Sequence, residues 1–264
     1  MSTCSAASLD AAEELGGTGM VGTGWACVES RSAWGRDPVA DGEVSVPAFA
    51  PAGATALAIR RPGRDRHVAI AFSATTTENG GELRVHELPD GPGRAVDGLL
   101  CLVCTHGRRD PCCSRLGIPV WKALDLAIGE TEVPLVWQCS HTGGHRFAPN
   151  VVVLPVGVTL GRVPHEHVPG VVQLLRERRL PLELYRGRSL YPVEVQAAEV
   201  HIRRTGGFDG IGDLSLVAAE GGLVTFRTPA GEATRRVVAV PGPVLPKSCG
   251  AEPEQVTRFD VEEA

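Results

Sequence analysis

Two short stretches of this chain concentrate residues that bind metals or do thiol chemistry. The first is CTHGRRDPCC, residues 104–113, and the second is CSHTGGHRFAPN, residues 139–150. Cys104 and Cys113 enclose eight residues. His141 and His145 enclose Thr142, Gly143 and Gly144. On a helix, residues four apart share a face, which is the usual way for two imidazoles to reach one ion. The Gly-Gly pair argues for a loop instead, because glycine favours turns and lets a bulky group approach the main chain. Spacing alone leaves two readings open: a loop clamp, or incidental histidines on a surface turn.

The elements around these stretches narrow the choice. LLCLVCTH is a continuous apolar run, the pattern of a strand buried on both faces. SRLGIPVWKALDLAIGE has helical spacing and stops at Gly129, and PLVWQCSH reads as a second strand. In a βαβ unit with parallel strands, both strand ends emerge at one edge of the sheet, so Cys104, Cys113, His141 and His145 can meet there. A strand-to-helix turn also aims backbone N–H groups at thiolates placed in it. Three chemistries compete for such a site. One is structural zinc, although eight intervening residues is long for a zinc knuckle. The second is a 2Fe-2S cluster, which is wider than one ion and accepts two histidines on one iron. The third is a reactive thiol, Cys112 or Cys113, acidified by a helix N-terminus and by Arg108 or Arg109.

Composition sets the class. The chain has 264 residues, 43% of them hydrophobic, which is enough to bury a core. A net charge of −5 argues against a general nucleic-acid binder. No apolar run is long enough to span a bilayer, and the first residues have neither a basic segment nor an apolar one like those of a secretory signal. A cytoplasmic protein with no membrane and no nucleic-acid partner is the expectation. Lysine occurs only at Lys122 and Lys247, against many arginines, the bias of GC-rich bacterial coding. In a reducing compartment, the eight cysteines are expected to serve metals, redox chemistry or the core rather than disulfides.

With these residues in view, the chain resembles the sucrase/ferredoxin-like family. CTHGRRDPCC followed by CSHTGGHRFAPNVVVLPVGVTLGR carries the resemblance most strongly. CSAASLDAAEELGGT, GWACVESRSAWG and YPVEVQAAEVHIRR extend it over about residues 4–204. The resemblance implies an α/β fold with a thioredoxin-like ferredoxin domain. It also implies a 2Fe-2S cluster held by Cys104 and Cys113 as thiolates and by His141 and His145 as imidazoles. Cys112 and Cys139 are adjacent enough to substitute for a ligand. The function implied is electron transfer with a redox partner protein that the sequence does not name, by a carrier rather than by a catalyst on its own. No paired-carboxylate signature for glycoside hydrolysis accompanies it. A zinc-stabilised binding module on the same four ligands, or a thiol redox sensor, are the alternatives.

The organisation expected is an N-terminal α+β region over residues 1–95, the ferredoxin domain over 96–204, and a C-terminal β-meander with an acidic, solvated tail over 205–264. Residues after Ser8 read as a short helix stopped by Gly16 and Gly17. GWACVES and ELRVHEL read as strands, TALAIRRPGRDRHVAIAFSA as two strands joined by a basic turn, and residues 89–98 as a linker. NVVVLPVGVTLGRV reads as one or two strands broken at Pro155, and EHVPGVVQLLRERR and VEVQAAEVHIRR as helices. Cys101 reads as core, facing away from Cys104. His106, Arg109 and Asp110 either support the site or form a charged turn. Arg146 places a charge near the site or pairs with an acid. His165 and His167, His67, His86 and Cys249 read as solvent, loop or core positions.

Overall fold

The computed structural model describes residues 3–63, 68–89, 91–129 and 135–264. Helix α1 (Cys4–Asp10) opens the described chain, its first turn capped by the Thr3 side chain, which accepts from the Ala6 N–H. It therefore begins before Ser8 and ends well before Gly16. Strands β1 (Gly24–Glu29), β2 (Thr55–Arg60), β3 (Ile70–Thr75), β4 (Glu82–Glu87) and β5 (Arg94–Ala95) follow. β2 and β3 are not a hairpin: β1 lies between them, parallel to β2 and antiparallel to β3. Part of the basic turn expected between them, with His67, lies outside the described residues. The expected linker contributes β5, a two-residue strand on the edge beside β4.

The central elements are β6 (Leu100–Cys104), α2 (Pro111–Ile128), β7 (Leu135–Cys139), β8 (Val151–Leu154), β9 (Val158–Leu160), α3 (Val168–Arg176), β10 (Tyr185–Arg188) and α4 (Val193–Gly206). All ten strands form one sheet in the order β10-β9-β8-β6-β7-β2-β1-β3-β4-β5. The sheet is continuous from the N-terminal strands into the central ones, because β2 pairs with β7 through Ile59 opposite Cys139. β6 and β7 run parallel, so their ends reach the same edge, and β8 returns antiparallel beside β6. This is a mixed α/β fold.

The apolar run of β6 is explained by two cores. Cys101 and Val103 belong to one, with Val120, Trp121 and Leu124 of α2 and Val172 and Leu175 of α3. Leu100, Leu102 and Cys104 belong to the other, with Trp25, Phe72 and Trp137. Alternate side chains of a strand point to opposite faces, so a strand covered on both sides shows no polar alternation. Both faces of β6 are apolar for that reason.

Helix α2 is fixed at both ends. Asp110 is its N-cap, accepting from the Cys112 N–H at 2.8 Å, and Pro111 takes the first helical position, where a missing N–H costs nothing. Such a cap contributes about 1 kcal/mol. Gly129, at φ 78°, ends the helix. Gly117 is the contact point with the sheet: a Cβ there would strike the carbonyl of Cys104. Its lack of a side chain lets the helix lie directly on the end of β6.

The C-terminal part forms a second, four-stranded antiparallel sheet from β11 (Ser215–Glu220), β12 (Leu223–Thr228), β13 (Gly231–Leu245) and β14 (Glu254–Glu263). The first three are the expected meander. The acidic tail is not a solvated coil; it pairs with β13 from Glu254 to Glu263. Phe259 and Val261, two apart and so on one face of the strand, pack against the core formed with α4, β12 and β13.

Candidate metal centre

Cys104 ends β6 and Cys113 lies in the first turn of α2, and both are buried. Their sulfurs and a ring nitrogen of His141 all lie within 4.8 Å of one another. A hydrogen bond from Cys113, reinforced by His141, holds the Cys104 thiol well below its ordinary value despite burial. The same hydrogen bond to Cys104, together with burial, pushes the Cys113 thiol up. The two sulfurs thus shift one another in opposite directions. The thiolate is the form that binds metals.

The histidines stand on the loop after β7. Gly143 and Gly144 both have left-handed φ, 77° and 63°, and His145 opens a single 3-10 turn, His145–Phe147. The two rings are 4.7 Å apart between centroids. Both Nδ1 atoms are buried and, among the described residues, lack a hydrogen-bond partner. Buried ring nitrogens without partners are costly, and a metal in front of them would remove that cost. The Nε2 of His145 faces the Asp110 carboxylate at 3.9 Å. A carboxylate behind an imidazole is the usual way to orient a metal-binding ring. Burial and the nearby His141 lower the pKa of His145, which favours the neutral, ligand-competent ring.

The loop is held from behind by residues that the sequence reading did not single out. Asn150 donates to the Gly144 carbonyl at 2.9 Å and accepts from Arg186 at 2.8 Å. Arg186 also donates to the Thr18 side chain and to the Thr18 carbonyl. Burial pushes the Arg186 guanidinium down to about 9. A Cβ on Gly144 would run into Arg186, whereas one on Gly143 would meet nothing within 4 Å. Arg146 resolves to the pairing alternative: it donates to Glu13 at 2.9 and 3.0 Å.

The remaining candidates separate cleanly. Cys101 faces the opposite core from Cys104. Cys139 sits beside Cys104 in the parallel register, and burial raises its thiol well above the ordinary value. The Nε2 of His106 lies 2.7 Å from the Gly35 carbonyl, so that ring is engaged away from the thiols. His86 bonds to Ser73 and stacks on Phe49. His165 and His167 are exposed, with His165 beside Glu166. Asp110 supports both helix α2 and His145. Cys112, one residue before Cys113, turns the other way and packs against Cys4, Ala148 and Cys249. A cleft of about 190 Å³ opens beside His141, lined by Arg36, Asp37, His106, Arg109 and Ser140.

The donor set of two thiols and two imidazoles suits either zinc or a 2Fe-2S cluster. The family described as Sucrase/ferredoxin-like matches residues 44–187, more than half of the chain. The chain belongs to the sucrase/ferredoxin-like family. The match spans β2 to β10 and contains all four candidate ligands and Arg186, while Cys4 and Cys249 lie outside it. Two curated relatives carry the name altered inheritance of mitochondria protein 32. That of Clavispora lusitaniae is 33% identical over 96 residues, 34% of this chain and 35% of the relative. That of Meyerozyma guilliermondii is 33% identical over 95 residues, 33% of this chain and 34% of the relative. The chain thus spans about a third of the length of these relatives. A solved thioredoxin-like [2Fe-2S] ferredoxin from Aquifex aeolicus aligns with a TM-score of 0.33 and 23% identity, covering 37% of this chain and 97% of that one.

Proposed function

We propose that this protein is an electron carrier whose 2Fe-2S cluster is held by Cys104 and Cys113 on one iron and by His141 and His145 on the other, within a thioredoxin-like ferredoxin domain. The observation that carries the reading is the gathering of the Cys104 and Cys113 sulfurs and a His141 ring nitrogen within 4.8 Å of one another, with the His145 ring beside His141 and both Nδ1 atoms buried without a hydrogen-bond partner among the described residues. The His145 ring adds a second imidazole 4.7 Å from that of His141 between centroids. Two thiolates with two imidazoles is the donor set of a 2Fe-2S cluster with histidines on one iron. When bound, such a cluster accepts and releases single electrons.

The chain's own residues divide the remaining work. The two cysteines supply negative charge in a wholly buried position. The imidazoles are neutral donors, which places the less negative side of the site toward the half-exposed His141 and His145. The Asp110 carboxylate faces the His145 ring across 3.9 Å, and Asn150 with Arg186 holds the backbone between the rings. The cleft beside His141 is the approach for a redox partner protein, in a cytoplasmic setting. Among the described residues no helix is long and apolar enough to cross a membrane.

Ligation by histidine raises the potential above the roughly −400 mV of all-cysteine plant-type clusters. A redox titration followed by visible absorption tests the proposal. The expected result is a one-electron wave above that value, which vanishes in Cys104→Ser. An iron-free chain that keeps zinc on these four residues would replace the reading with a zinc-stabilised module.

A further inference from the structure

The first turn of α2 carries two adjacent cysteines that serve different places. Cys113 faces the centre described above. Cys112 faces a second group formed with Cys4 at the start of α1, Cys249 in the loop between β13 and β14, and Asp110. The three sulfurs are separated by 3.7 Å (Cys4 to Cys112), 3.3 Å (Cys112 to Cys249) and 3.6 Å (Cys4 to Cys249). The Asp110 oxygens lie 3.7 and 3.8 Å from the Cys4 sulfur. Zinc–sulfur bonds of about 2.3 Å and zinc–oxygen bonds of about 2.1 Å, set tetrahedrally, require sulfur–sulfur edges of about 3.8 Å and sulfur–oxygen edges of about 3.6 Å. The four donors already stand near those separations. A disulfide, at about 2.05 Å, would use two of the three sulfurs and leave the third beside a carboxylate.

We propose that Cys4, Cys112, Cys249 and Asp110 form a second metal site, a closed tetrahedral site for zinc. The donors come from three separate parts of the chain, 108 and 137 residues apart. Cys4 and Cys112 are buried and Cys249 is half-buried, and four protein donors fill a tetrahedral shell, with no position left for a substrate. The surroundings suit thiolate ligands. The Ser5 hydroxyl is 3.3 Å from the Cys112 sulfur, and the backbone N–H groups of Ser5 and Cys4 point at the sulfurs of Cys112 and Cys249. The Cys249 N–H and the Ser248 hydroxyl donate to Asp110 at 2.7 and 3.0 Å, which fixes the carboxylate in place. Binding would release the thiol protons and tie α1 and the β13–β14 loop to the start of α2. Its role is structural.

The test uses the full chain, produced with zinc supplied and purified under reducing conditions, with zinc and iron measured separately. The expected content is about one zinc per chain, a single closed site of this kind. Zinc K-edge X-ray absorption of the wild type should show about three sulfurs near 2.3 Å and one lighter neighbour. Cys4→Ser and Cys249→Ser should weaken zinc binding at least tenfold while leaving iron and visible absorption unchanged. Asp110→Asn keeps a capping side chain for α2 and should also weaken zinc. Cys104→Ser should lose iron and keep zinc. The proposal is overturned by a wild type that takes up no zinc, or by a disulfide among Cys4, Cys112 and Cys249. It is equally overturned by zinc bound to two sulfurs and two nitrogens and released by Cys104→Ser, an outcome that would also remove the iron reading.

Discussion

The two thiol groups flanking the first turn of α2 are built on different supports. Cys104, Cys113, His141 and His145 stand on the ends of two neighbouring parallel strands, on the helix between them and on a glycine loop pinned by Arg186. Cys4, Cys112 and Cys249 stand on a seven-residue helix, the same turn of α2, and a loop between two strands of the small sheet. The first group is carried by a core that exists without it. The second joins peripheral segments, α1 and the β13–β14 loop, that the chain otherwise ties down through polar bonds to Arg146 and Asp110 rather than through a large core. The difference teaches that loss of a ligand should have opposite consequences on the two sides: loss of a cofactor from an intact fold, or loosening of the chain ends around an intact cofactor.

The largest effect expected is at Cys113. Cys113→Ser should abolish iron binding and visible absorption, while the far-UV circular dichroism stays close to wild type. Cys112→Ser, one residue away, should leave the visible spectrum intact. If Cys112→Ser bleaches the protein and Cys113→Ser does not, the assignment of the two neighbours is reversed.

The loop glycines give the next contrast. Gly144→Val places a side chain at φ 63° against Arg186, which cannot move without breaking its bonds to Asn150 and Thr18. A left-handed non-glycine residue alone costs about 1–3 kcal/mol. Iron retention should fall severalfold, measured as iron per chain after gel filtration. Gly143→Ala, at φ 77° with open space, incurs the backbone cost alone and should keep most of the iron. Equal retention by the two variants would show that Arg186 does not set the loop.

Arg146→Ala tests the link between the two sides. Glu13, just after α1, bonds to Arg146 beside His145 and to Ser8. Leaving this buried carboxylate without its cation costs about 1–3 kcal/mol, read as a lower midpoint in urea unfolding. An unchanged midpoint would mean that α1 is held mainly through Cys4.

The smallest effect concerns pH and lies away from both groups. Burial lowers the pKa of His86, with the charge of Arg84 acting in the same direction. The unfolded chain therefore takes up a proton near the free value of about 6.5 that the folded chain refuses. The sign follows: the contribution of His86 is fully present above about 6.5 and is lost as pH falls through the folded pKa. Replacing His86 with Gln should flatten the decline of the urea midpoint between about pH 7 and 5.

How much of this was legible depends on sequence distance. The C-x8-C and H-x3-H pairs could be read because each is local, and a parallel βαβ unit forces their loops to one edge. The shared role of Cys4, Cys112 and Cys249 could not be read, since no periodicity connects residues 108 and 137 positions apart. β10, with the sequence YRGR, carries no apolar pattern, because the side chains it buries include Arg186 and Arg188, which are held by backbone carbonyls and Asn150. The acidic tail reads as solvated because β14 has too few apolar residues to show alternation, although it pairs along β13.

The most direct test of the central claim is the iron and acid-labile sulfide content of the anaerobically purified full chain, beside that of Cys104→Ser. Binding as proposed predicts about two irons and two sulfides per wild-type chain, and neither in the variant. A colourless wild type without sulfide, holding zinc that Cys104→Ser releases, would contradict it.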